Sequence, residues 1–205
     1  MDRRELLKMI ALATGSAVIG GEFFLSGCTS GAKTEAGFTP TTISLLDEIG
    51  ETILPATSTP GAKEAQVGQF MKLYVTECYP QVVQDVFMNG ISQLQETCKK
   101  KHGKLFMDSS VEERAALLND LEKESKEYNA AQAKKDMPAY EELKKKNRSD
   151  QFIASPQHYY TMIKQLTLLG FFTSKQGATL AMRHVSVPGR YDGALPYKKG
   201  DKAYS

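Results

Sequence analysis

Three histidines, three cysteines and 24 carboxylates are the side chains with which this chain could do chemistry, and their spacing assembles few of them. His102, His158 and His184 stand far apart, none at a metal-ligand spacing from a cysteine or carboxylate. His102 follows a lysine run and is expected at the surface. His158 falls at a helix start, where an exposed polar role is expected, and His184 precedes the C-terminal tail, where it can pack or hydrogen-bond. Cys78 and Cys98 lie on apolar stripes. Roughly 17 helical residues between them amount to about 25 Å, whereas a disulfide needs Cα atoms within about 7 Å. Both are therefore expected to be small buried hydrophobes. The carboxylates cluster on polar helical faces, and no nucleophile elbow, phosphate-cradling loop or dinucleotide fingerprint is present. No catalytic residue, cofactor-binding residue or metal ligand is assigned, so the chain does not read as an enzyme.

Cys28 is the exception. Leu25-Ser26-Gly27-Cys28 is large apolar, small, small, cysteine, the pattern of a bacterial lipobox, in which the thiol takes a diacylglycerol and becomes the new N-terminus. Arg3, Arg4 and Lys8 form a basic start, and Met9 to Gly21 is a mostly apolar run, too short to span a bilayer comfortably. Arg3-Arg4-Glu5-Leu6-Leu7-Lys8 is similar to the twin-arginine export motif. Asp2 stands where serine or threonine is usual and Glu22 is unusual in its position, so the general secretory route is the alternative. These signals divide the chain into an export signal over 1–27, a flexible tether over 28–37 and a helical domain over 38–205. They place the protein in the bacterial periplasm as a membrane-anchored lipoprotein. The twin-arginine route carries proteins already folded, often with a cofactor-loaded companion. Nothing in this chain looks able to hold a cofactor, so that route points to a partner that does.

The elements that must present these groups are helical. With 205 residues and 41% hydrophobic content, the chain has room for one core. Its net charge of +2, with signs interspersed, lacks the concentrated basic surface that nucleic acid requires. Thr39 and Pro40 suit the N-cap and first position of a helix carrying Ile43, Leu46, Ile49 and Ile53, with Phe38 and Ile43 at staple positions. Thr59-Pro60 is expected to cap the next, striped by Val67, Phe70, Met71, Tyr74 and Cys78. A third carries Val83, Val86, Phe87, Ile91, Leu94 and Cys98 and stops at Gly103. Ser109 or Ser110 opens a fourth through a capping box with Glu112 or Glu113. The charged excursion of about 122–150 reads as a solvated helix or a mobile insertion. His158 to Leu169 is apolar on most sides, Gly170 is expected to allow a turn, and Thr173 with Gln176 to cap a short helix. Val187 to Asp201, rich in proline, glycine and tyrosine, cannot be a regular helix. The fold class is all-α, one small helical domain with an irregular C-terminal segment.

Three motifs in order carry a family resemblance: Ile53-Leu54-Pro55 with Thr57 and Thr59-Pro60-Gly61-Ala62; Leu166 to Ser174 with Gly177; and Val187 to Gly193 with Pro196-Tyr197. Together they resemble the small subunit of gluconate 2-dehydrogenase and its relatives. The resemblance implies an accessory subunit that binds no cofactor and supplies the export signal. Its implied partner is a large flavoprotein of the glucose–methanol–choline type, which holds FAD and oxidises sugars or sugar acids. A c-type cytochrome often takes the electrons. Relatives often carry cysteine where Ala194 stands and tryptophan near Tyr204, so no covalent link to a partner is expected through this tail.

The aromatic and glycine-rich segments are the candidate partner surface: Phe171, Phe172, Pro188, Gly189, Tyr191, Gly193, Pro196 and Tyr197. The same aromatics could instead close the protein's own core. An alternative to the accessory-subunit reading is a stand-alone lipid-anchored helical module with another partner.

Overall fold

The computed structural model describes residues 37–187, 189 and 193–204. The export-signal residues, Cys28, Pro188 and Tyr191 lie outside them. The described chain forms five α-helices: α1 (Pro40–Ile53), α2 (Val67–Cys78), α3 (Gln81–His102), α4 (Val111–Lys145) and α5 (Tyr159–Thr173). Single turns at Phe106–Asp108, Ser149–Gln151 and Gly177–Ala181 complete it, the last a π-helical turn. Among the described residues there is no strand, only an isolated bridge between Arg183 and Tyr204. The all-α expectation holds.

Helix α1 begins as its sequence requires. The Thr39 hydroxyl accepts the Thr42 N–H at 3.2 Å, and Pro40 occupies the first turn. Leu45, Leu46 and Ile49 are buried, and Phe38 stacks on Phe87 of α3 with ring centroids 6.2 Å apart. Beyond Ile53 the chain wraps around one carboxylate. Glu51 accepts N–H groups from Ala56 at 2.8 Å and Lys63 at 2.9 Å, while Ala62 N–H reaches Leu54 C=O at 3.0 Å. A Cβ on Gly61 would fall 2.3 Å from Oε2 of Glu51, so only glycine lets the loop close this tightly. The Ile53 to Ala62 motif is thus a structural collar.

Thr59-Pro60 caps nothing, contrary to the sequence expectation. Helix α2 starts seven residues beyond Pro60, after Gln66 in the left-handed conformation at φ 53°. The cap comes from another helix: Asp47 Oδ1 of α1 accepts the Gly68 N–H at 2.7 Å. Burial raises the Asp47 pKa, and that hydrogen bond opposes the rise. The core face of α2 is Val67, Met71 and Val75, each four residues on, so Cys78 lies past the edge of the stripe. Cys78 is exposed, correcting its assignment to the core, whereas Cys98 is buried; both are free thiols.

Helix α3 buries Phe87, Ile91, Leu94 and Cys98 and ends on Gly103 at φ 72°. His102, expected at the surface, is half-buried, with Nε2 shut away from solvent and without a hydrogen-bond partner. Of the two possible capping boxes, Ser110 with Glu113 forms: Glu113 N–H donates to Ser110 Oγ at 3.2 Å and Ser110 N–H to Glu113 Oε2 at 2.8 Å. Ser109 turns inward instead, donating to Leu105 C=O at 3.0 Å beside Cys98. Arg114 then locks α4 to α1. It pairs with Glu48, donates to the Phe106 and Met107 carbonyls at 2.9 and 2.7 Å, and covers the Phe106 ring. The charged excursion is helix, continuous through Pro138 to Lys145.

Helix α5 is the central element, burying Tyr159, Tyr160, Met162, Ile163, Leu166, Thr167, Gly170 and Phe171. It crosses α3 so closely that a Cβ on Gly90 would lie 2.1 Å from Cγ of Tyr159. Gly170 makes no turn; the helix runs through it, because a Cβ there would meet Phe70 of α2 at 2.7 Å. Thr173 stays in the helix, bonded to Leu169 C=O at 2.6 Å, and Ser174 makes the cap expected of Thr173, accepting the Gly177 N–H at 3.0 Å.

Candidate partner interface

Successive residues on a helix point about 100° apart. The Phe171-Phe172 pair is split by that rotation: Phe171 is 2% exposed and Phe172 41%. Their rings meet edge to face at 5.1 Å. Phe171 therefore belongs to the core, not the partner surface, because the rotation that turns Phe172 outward turns it inward. Leu168, Leu169 and Phe172 share the outer face of α5 and are all exposed. Leu168 and Leu169, which the sequence places in the apolar helix and in the second family motif, belong to this face. Their signal was the all-round apolar character of the segment, which leaves some of it uncovered.

The tail leaves α5 through the π-helical turn and comes back to it. Arg183 N–H donates to Ala203 C=O at 2.8 Å, and the Arg183 guanidinium lies 5.0 Å over the Tyr204 ring. Lys202 Nζ reaches the Leu180 carbonyl. These contacts close the neck of an irregular loop and leave a cleft of about 930 Å³ with Leu195, Pro196 and Tyr197 on its wall. Tyr197 is 76% exposed, and Gly193 and Pro196 are also exposed. Gly189 sits at φ 77°, a backbone state that favours glycine. Tyr204 is thus a neck residue. An aromatic ring is what the Arg183 contact needs.

At its N-terminal end α5 is held by a polar cluster that the sequence reading missed. His158, expected to be exposed, is buried. Its Nδ1 accepts the Tyr160 N–H at 3.3 Å as the helix cap. Asn129 of α4 accepts the His158 N–H at 2.9 Å and donates to Thr161 Oγ1 at 2.8 Å. The His158 ring packs against Tyr128 and Tyr159 at 5.4 and 4.4 Å. Burial lowers its pKa, with Glu124 opposing. Burial also pushes the neighbouring Tyr160 hydroxyl up to about 12. A cap needs the neutral ring with a lone pair on Nδ1, so this histidine fastens a helix. Asn129, in a run of charge, carried no signal of its role.

Among the described residues no group of three histidine, cysteine or acidic side chains converges as a metal site. No described helix is long and apolar enough to cross a membrane. Among the described residues, the helical body presents exposed apolar side chains on α5 and an exposed tyrosine, Tyr197, in the tail. The profile of gluconate 2-dehydrogenase subunit 3 covers residues 40–189, and the chain belongs to that family. It is accordingly an accessory subunit of a dehydrogenase complex. Searches of curated proteins and of solved structures find no match.

Proposed function

We propose that this chain is the non-catalytic accessory and export subunit of a periplasmic, FAD-dependent sugar or sugar-acid dehydrogenase of the glucose–methanol–choline type. It escorts the folded flavoprotein through the twin-arginine route and anchors it to the membrane through lipidated Cys28. The large subunit holds the FAD and performs the oxidation, and a c-type cytochrome takes the electrons. The observation that carries this reading is the outer face of α5, Leu168, Leu169 and Phe172, partly exposed within the residue range of the family match. Exposed apolar side chains grouped on one face suit a partner better than water.

The test is a mild-detergent pull-down of the full chain, with identification of the co-purifying protein and its absorbance spectrum. A flavin-containing large subunit is the expected companion. Recovery of this chain alone, or of a partner without flavin, overturns the assignment and favours a stand-alone lipid-anchored module. Changing Arg3 and Arg4 to Lys should halt export of both subunits together, and Cys28→Ala should release the complex from membranes.

A further inference from the structure

Helix α4 is far longer than its packing requires. Its 35 residues extend about 52 Å, yet its buried residues are Leu117, Leu118, Leu121 and Ser125. The 20 residues from Ser125 to Lys145 carry the helix about 30 Å further. The chain returns along this arm, tied to it where Asp136 accepts both the N–H and the hydroxyl of Ser155 at 2.8 and 2.7 Å, and where Phe152 meets Tyr140 edge to face at 5.4 Å.

The end of the arm is basic and carries an almost fully bare aliphatic, Ile153. Lys144, Lys145, Lys146 and Arg148 fall within five residues and are all exposed. Lys146 pairs with Glu142 at 2.6 Å, and Lys144 lies over the Tyr140 ring at 5.8 Å. Neither Lys145 nor Arg148 has a carboxylate partner among the described residues. From Lys134 to Ile153 there are six cationic residues and four acidic ones. Two of those acids are engaged, Asp136 by Ser155 and Glu142 by Lys146, which leaves Glu141 and Asp150. Ile153 is 90% exposed, immediately after the Phe152 that packs on the arm.

We infer that the tip of this arm is a second attachment surface, made for the anionic headgroups of a phospholipid bilayer. Cations beside a few exposed apolar side chains, Ile153 at 90% and Met137 at 51%, suit a headgroup layer: the apolar groups enter the acyl boundary and the long cationic side chains reach the phosphates. A docked protein would instead need a grouped apolar patch, such as the one on α5. The arm is fastened at Thr161, about 16 Å along α5 from Phe172, so its base lies apart from the partner face. The inference does not depend on lipidation at Cys28 or on the identity of the dehydrogenase.

Flotation with vesicles tests it. The full chain carrying Cys28→Ala is mixed with vesicles of phosphatidylglycerol and phosphatidylcholine, or of phosphatidylcholine alone, at low and high salt. Any contribution from the apolar run of residues 9–21 is common to every variant. Binding should favour the anionic vesicles and weaken with salt. Combining Lys145→Glu with Arg148→Glu should weaken it at least 25-fold, from about fivefold per cation near an anionic surface. Ile153→Asp should weaken it about tenfold on the area it buries, while Lys100→Glu, a single charge reversal placed on α3, leaves it within twofold. These side chains are exposed, and unchanged melting curves confirm the fold. Equal binding to both vesicle types, no loss in the arm variants, or an equal loss in Lys100→Glu overturns the inference. Loss of the large subunit from the complex, with vesicle binding intact, also overturns it and makes the arm a protein contact.

Discussion

Gly90→Ala probes the packing that positions the proposed partner face. On an ordinary exposed helix this change would stabilise by about 1 kcal/mol, since glycine is the poorer helix former. Here the added Cβ would stand 2.1 Å from Cγ and 2.2 Å from Cβ of Tyr159. Ordinary carbon–carbon contact is about 3.5–4.0 Å, so α3 and α5 would have to part by roughly 1.5 Å. The near atoms belong to the root of the tyrosine side chain, which cannot swing aside. Such overpacking lies at or above the usual cost of about 1–3 kcal/mol. Subtracting the propensity gain leaves a net loss of about 2 kcal/mol. For a chain of this size that is a fall in Tm of about 4–8 °C, read by circular dichroism. Because α5 carries Leu168, Leu169 and Phe172, the complex with the large subunit should weaken as well. An unchanged or raised Tm would refute the close approach of the two helices. Gly103→Ala is the control: no atom lies within 4 Å of its Cβ position, so it should cost only the left-handed strain of about 1–2 kcal/mol and leave the complex intact.

The buried neutral ring of His158 predicts a pH effect. Its folded pKa is depressed, so its contribution is complete above the unfolded value of about 6.5 and is lost as pH falls toward the folded pKa. Tm should therefore drop between pH 7 and 5.5, and His158→Asn, which keeps a cap acceptor, should flatten that slope; an unchanged slope would assign the effect elsewhere. At the collar, Glu51→Ala and Gly61→Ala should each destabilise, by about 1–3 kcal/mol. The double variant should cost less than the sum, because the added methyl no longer meets the carboxylate; simple additivity in denaturant melts would sink the collar. Phe172→Ser should weaken capture of the proposed large subunit about tenfold or more, with a smaller loss of stability of about 1 kcal/mol from the edge-to-face contact with Phe171; capture at parental affinity would remove Phe172 from the interface.

Periodicity and capping chemistry made most of the helical body legible in the sequence. Thr39-Pro40, the stripe from Phe87 to Cys98 and the Ser110–Glu113 box are local, and the structure keeps them. The failures are where a distant residue decides. Helix α2 is capped by Asp47, 21 positions earlier, and no local signal marks its start. His158 is buried because Tyr128, Tyr159 and Asn129 gather over it, and two of those come from another helix. The buried stripe of α2 ends at Val75, about one turn before Cys78, which is therefore exposed. Gly170 looked like a turn because glycine breaks helices when nothing presses against it, and here Phe70 does.

The candidate interface was legible in kind and less so in membership, and Phe171 shows why. Composition says that an aromatic pair lies near the end of an apolar helix, but not which ring faces out. That depends on where the helix sits against α2 and α3. The split has a functional consequence. One helix carries both the core and the proposed partner face, so its two faces should answer to different substitutions. Changes at Ile163, Leu166 or Phe171 remove packing and should lower stability by about 2–5 kcal/mol, and binding only through that loss. Changes at Leu168, Leu169 or Phe172, which are about two-fifths exposed, remove less packing and should lower affinity with a smaller effect on stability. A scan along α5 that measures melting and capture side by side should therefore show two interleaved sets at helical spacing. If affinity and Tm fell together at every position, the outer face would be part of the core's support and the interface would lie elsewhere.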